Sequence, residues 1–181
     1  MNIKPRGDRT WLWVVLVFVV FWIFYLARFG PRNQGGSASS ERKTADYAWK
    51  VEDLAGSPVT LERYRGKPLF LNLWATWCRP CVAEMPSISR LATNPRLKDV
   101  AVVCVSLDDD LEPVRKFVQE KKLNVTVFRS NGTIPDVFNT DAIPATFLIA
   151  PDGKIVEREI GATDWDKPAV VEKLEGLSRT Q

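Results

Sequence analysis

The run Leu69-Phe70-Leu71-Asn72-Leu73-Trp74-Ala75-Thr76-Trp77-Cys78-Arg79-Pro80-Cys81 constrains the fold more than any other stretch of the chain. It reads as an apolar strand that ends in two cysteines separated by two residues. A CxxC pair at the mouth of a strand–helix unit sets vicinal thiols against the unpaired N–H groups of a helix start, and this placement favours a thiolate. Cys78, nearest that helix start, is expected to attack, with a pKa drawn from about 8.5 towards 7 or lower. Cys81, one turn later, is expected to resolve the mixed disulfide. The alternative for Cys78 is an inert structural cysteine.

The rest of the composition removes competitors. Three cysteines among 181 residues are too few for a disulfide scaffold or an all-cysteine zinc site. The absence of histidine excludes the usual mixed zinc sites, histidine-dependent triads and histidine-ligated haem or copper. No metal site and no cofactor beyond a Cys78–Cys81 disulfide are expected. A net charge of +3 with dispersed basic residues argues against nucleic acid as a partner.

Residues 1–10, with Lys4, Arg6 and Arg9, are expected to form a short cytoplasmic N-terminus. Residues 11–29 are almost purely apolar, broken only by Arg28, and as a helix they would span about 28 Å, enough for a bilayer core. Ala27-Arg28-Phe29 is poor as a cleavage site, so an uncleaved transmembrane signal anchor is expected, with a cleaved signal as its rival. Arg28, Arg32, Arg42 and Lys43 balance the basic residues on the near side, so charge does not set the orientation. Residues 30–46, rich in Gly and Ser, read as a flexible tether reaching roughly 23 Å.

Residues 47–181 are expected to form one domain. Trp49–Leu54 and Val59–Leu61 read as short strands joined at Gly56-Ser57-Pro58, and Leu69–Trp74 as a strand. Val82–Ala92 has helical spacing, with Met85, Ile88 and Leu91 on one face and a kink expected at Pro86. Val100–Val105 suits a strand buried on both faces. Asp110–Lys122 is an amphipathic helix with Asp108–Asp110 as candidate caps. Val125–Phe128 is a further strand, Ala145–Ile149 and Lys154–Arg158 form a hairpin about Pro151-Asp152-Gly153, and a last helix covers residues 166–177. This order predicts an α/β fold, a mixed central sheet sandwiched by helices with an added N-terminal hairpin.

Trp74 through Cys81, with Glu84, Met85 and Pro86, resembles the thioredoxin superfamily, and within it the membrane-anchored TlpA/ResA-like thiol–disulfide oxidoreductases. Ala142-Ile143-Pro144-Ala145-Thr146-Phe147 matches the place where that superfamily carries a cis-proline beside its active site. One departure is informative: cytosolic thioredoxins have a buried aspartate six residues before the first cysteine, where this chain has Asn72. The TlpA/ResA-like branch lacks that aspartate and carries a glutamate at the position of Glu84.

The resemblance implies a thioredoxin fold and a redox disulfide cycle in an extracytoplasmic, periplasmic space. By the same token it implies disulfide-containing protein substrates, among them apocytochrome c or copper-site cysteines, and a membrane dithiol donor. It implies that Ile143 and Pro144 bind an extended substrate segment, where the plain reading is a proline opening a strand. Glu84 shares a helix face with Cys81 and has two readings, a proton partner of Cys81 or a charge complementing the helix dipole. Arg79 and Pro80 either tune the redox pair or, for Arg79, simply carry a solvated charge. Trp77 is expected to dock substrate; Trp74 is either part of that floor or core, and Cys104 reads as a buried small hydrophobe. Two other functions are weighed: a thiol peroxidase, whose pattern Thr76-Trp77-Cys78 meets poorly, and a holdase that binds thiol proteins without turnover.

Overall fold

The computed structural model describes residues 10–29 and 43–179. They fall into two units, residues 1–41 and 42–181. In the first, α1 (Thr10–Phe29) is a helix of 20 residues. Trp13, Phe18, Phe21 and Trp22 are among its exposed side chains. Among the described residues no helix is long and apolar enough to cross a membrane. The span expected over residues 11–29 rests partly on side chains outside that set, and most of the tether expected over residues 30–46 lies outside it too.

The second unit is built on strands β1 (Lys50–Glu52), β2 (Pro58–Thr60), β3 (Leu69–Trp74), β4 (Ala101–Ser106), β5 (Thr126–Ser130), β6 (Ala145–Ile149) and β7 (Ile155–Ile160). They form one sheet in the order β2-β1-β5-β4-β3-β6-β7. Strand β3 runs parallel to β4 and antiparallel to β6. All six residues of β3 are buried, as an unbroken apolar run requires when both faces of the sheet are covered. The expected N-terminal hairpin is present, and β1 also pairs antiparallel with β5, extending the sheet at that edge.

Helices α2 (Arg79–Ala92), α3 (Leu111–Glu120) and α4 (Pro168–Ser178) complete the unit. Here the structure corrects one expectation. All three helices pack on the same face of the sheet, through Met85, Ile88, Val114, Val171 and Leu174. The other face is covered by Tyr47, Trp49 and Phe138 from irregular segments and by Leu61 of a short 3-10 helix, Leu61–Tyr64, not by an α-helix. Phe138 sits in residues 131–144, where Gly132 and Pro135 interrupt any helical pattern.

The domain edge also differs from expectation. Residues 43–46 are not tether: Ile155 N–H donates to the Lys43 carbonyl and Ala45 N–H to that of Gly153. Gly153 has φ of 85°, and a Cβ there would sit 3.4 Å from Thr44 Cγ2 and 3.5 Å from Tyr47 Cε2. The β6–β7 turn therefore needs glycine for its backbone, whereas a Cβ would meet the crossing strap only at ordinary van der Waals contact.

Candidate active site

Strand β3 delivers the chain to the top of the sheet, and Ala75-Thr76-Trp77 turn it into α2. Cys78 is the N-cap of that helix, with φ −86° and ψ 101°, and its Sγ accepts from Cys81 N–H at 3.3 Å. The sulfur occupies the place a serine or aspartate oxygen takes in an ordinary cap, so α2 begins at Arg79, with Cys78 at the helix start as expected. Arg79 and Pro80 occupy its exposed first turn, where a missing N–H is tolerated. Pro86 lies inside the helix, which continues past it to Ala92.

Cys78 and Cys81 are joined by a disulfide. Both are buried, Cys78 at 6% exposure and Cys81 at 0%, so Cys78 is the sulfur nearer solvent. Its Sγ lies 3.7 Å from the Ile143 carbonyl oxygen. The Ile143–Pro144 peptide bond is cis, and Pro144 is buried while Ile143 is partly exposed. Trp77 is 67% exposed beside the disulfide, and Trp74 is wholly buried against Phe117. The two tryptophans thus divide into a surface ring and a core ring.

Glu84 lies on the buried face of α2, 3% exposed. Asn72 Nδ2 donates to its Oε1 at 2.8 Å, while Thr163 N–H at 3.1 Å and Trp165 Nε1–H at 3.0 Å donate to Oε2. Burial pushes the carboxyl above its ordinary value, and the donors from Trp165, Thr163 and Asn72 oppose that push. Beneath it, Asn72 stands between Thr146 of β6 and Cys104 of β4 in register. Asn72 Nδ2 also donates to Thr146 Oγ1 at 2.9 Å. Burial, aided by the nearby Glu84 charge, pushes the Cys104 thiol far up, which leaves it an inert hydrophobe.

Sequence reasoning missed two contributors. Trp165 reaches Glu84 across 81 positions, a pairing no local pattern reveals. Asp108, seen only as a candidate helix cap, instead accepts from Thr76 N–H at 2.9 Å, Thr76 Oγ1 at 2.5 Å and Ser106 Oγ at 2.5 Å. It fastens the loop before the cysteines to the end of β4. Among the described residues no group of three His, Cys, Asp or Glu side chains is placed to hold a metal ion.

This fold and site define a thioredoxin-fold protein with a vicinal-cysteine disulfide at a helix start. The chain belongs to the Redoxin family, which it matches over residues 43–174. It is 38% identical over 112 residues to the thiol-disulfide oxidoreductase ResA of Bacillus cereus, covering 61% of this chain and 65% of that one. With ResA of Bacillus subtilis the identity is 30% over 150 residues, 82% of this chain and 81% of that one. Among solved structures, a secreted disulfide oxidoreductase of Mycobacterium tuberculosis matches with a TM-score of 0.59 and 27% identity, over 76% of this chain and all of that one. The matched region thus spans just under two thirds of the length of the first ResA relative.

Proposed function

We propose that this protein is a membrane-tethered, extracytoplasmic thiol–disulfide oxidoreductase that reduces disulfides in partner proteins. The observation that carries the reading is the Cys78–Cys81 disulfide at the start of α2, with the less buried sulfur against the Ile143 carbonyl. In the reduced protein, Cys78 as thiolate attacks a partner disulfide; one partner sulfur leaves and takes up a proton, and a mixed disulfide forms. Cys81, deprotonated in turn, attacks Cys78 Sγ, the partner's second sulfur leaves as a thiol, and the enzyme disulfide closes. The partner gains two electrons and two protons, which a membrane dithiol donor then restores to the enzyme.

Glu84 serves this cycle as the proton partner of Cys81, held ready by its burial and its donors. Trp77 and the Ile143–Pro144 edge receive an extended substrate segment, whose backbone pairs at Ile143. Arg79 and Pro80, at the solvent side of the helix start, tune the thiolate. Apocytochrome c or copper-site cysteines are the substrates proposed, on the likeness to ResA. The N-terminal anchor is supported by α1, whose exposed side chains include Trp13, Val15, Leu16, Val17, Phe18, Val19 and Val20.

The test is covalent trapping. A Cys81→Ser chain incubated with oxidised partner proteins accumulates a mixed disulfide through Cys78, which reductant dissolves. Cys78→Ser forms none. Equal binding by the Cys78→Ser/Cys81→Ser chain, with function retained, would instead establish a holdase.

A further inference from the structure

The buried Glu84 carboxylate meets N–H donors on both oxygens. That set suits the ionised form, which only accepts. The protonated form needs an acceptor for its own O–H. Oε2 faces a backbone N–H and an indole N–H, and neither can accept. The proton must therefore sit on Oε1, opposite the Asn72 side-chain amide.

The other end of that amide, Oδ1, is buried and has no partner among the described residues. A half-turn of the amide exchanges Nδ2 and Oδ1. An acceptor then occupies the place 2.8 Å from Glu84 Oε1 and 2.9 Å from Thr146 Oγ1, whose hydroxyl can rotate from accepting to donating. Both hydrogen bonds survive with their polarity reversed and the heavy-atom positions unchanged. One end of the amide lacks a partner in either orientation, so the count of unsatisfied groups favours neither.

We propose that the Asn72 amide is a two-position switch that matches the protonation state of Glu84: Nδ2 faces the ionised carboxylate and Oδ1 the protonated one. Asn72 is then a positioning residue, which lets a buried acid take the Cys81 thiol proton and return it; only the proton moves in this step. The inference rests on the reading of Glu84 as the proton partner of Cys81. A carboxylate at position 72 would only repel the ionised acid, whereas an amide serves both of its states. The charged and titratable groups around Glu84 are few. Cys104 faces it from β4, Arg90 of α2 and Asp164 line the cleft beside it, and Asp166 is ion-paired with Arg90.

Glu84→Gln gives the sharpest test. Its amide oxygen must stay opposite Thr163 N–H and Trp165 Nε1–H, so its nitrogen takes the place of Oε1 and forces Asn72 to present Oδ1. On the full-length chain labelled with 15N-asparagine, the Asn72 signal is assigned by its loss in Asn72→Asp. In Glu84→Gln at neutral pH the Asn72 side-chain NH2 signals should lose their Overhauser contacts to Thr146. They should also coincide with the signals to which the wild type moves as pH falls. Unchanged shifts and contacts in Glu84→Gln would overturn the proposal. Asn72→Leu removes the N–H that holds the ionised form, so the pH midpoint of disulfide reduction should rise; an unmoved midpoint in a folded variant is the second contrary result. Should the Cys81→Ser trap fail, the oxidoreductase reading falls while the amide result still stands by itself.

Discussion

At the scale of single residues, Glu84 combines burial with hydrogen-bond donors on both carboxylate oxygens. Its spacing from Cys81 was legible in the sequence, since positions three apart share a helix face. Its environment was not: the donors come from β3 and from the loop before α4, remote in sequence and brought in only by packing. Burial lifts its carboxyl above the ordinary value of 4.5. The folded state then holds that proton more tightly than the unfolded chain does. The resulting stability is fully present below the unfolded-chain value and is lost as pH rises through the folded one. Wild-type unfolding free energy should therefore fall with rising pH above about 4.5, relative to Glu84→Gln, which carries no such proton. Denaturant titrations at a series of pH values check this, and parallel pH profiles for the two chains would contradict it.

The decisive element is the loop and helix start from Ala75 to Cys81. Sequence reasoning located it because an apolar strand, a CxxC and a helical pattern follow one another without interruption. Strand β3 and strand β6 appear with the bounds the sequence predicts, because their apolar runs are bounded by turn residues. Cys78 stands at the helix start, as expected; the capping by its sulfur was not foreseen, since sulfur is not a residue type that cap rules look for. Asp108 holds this element in place, 6% exposed and bonded to Thr76 and Ser106. Asp108→Ala strands the Thr76 N–H and the Ser106 hydroxyl, at a cost of about 1–3 kcal/mol. Hydrogen exchange at the Thr76 amide should accelerate in this variant while amides in β4 exchange near the wild-type rate. Unaltered Thr76 exchange would show that the loop is held by other means.

For the whole molecule, the mixed sheet and its added N-terminal hairpin were expected from the succession of apolar runs and amphipathic segments, while the spatial order of the strands comes from the structure. The placement of all three domain helices on one face was not expected. Periodicity states that a segment has a buried side, not which face of the sheet that side meets. Residues 131–144 cover the second face with Phe138 and neighbours, and their Gly and Pro content hides that role from pattern reading. The start of the domain was likewise hidden, since Lys43 to Ala45 join it through backbone bonds that need no side-chain pattern. If α1 is the proposed anchor, full-length protein should remain in membranes after alkaline carbonate extraction, and a chain beginning at Lys43 should be released. Release of both would remove the tether from the account.

On the proposed reading, Cys78 and Cys81 form a reducing dithiol fed from the membrane. The reduction potential of this pair, set by equilibration of the full-length chain in defined thiol buffers, tests it most directly. A reducing dithiol should give a value near or below that of thioredoxin, about −270 mV. A value near about −120 mV, that of a strong oxidant, would contradict it and make the protein one that introduces disulfides.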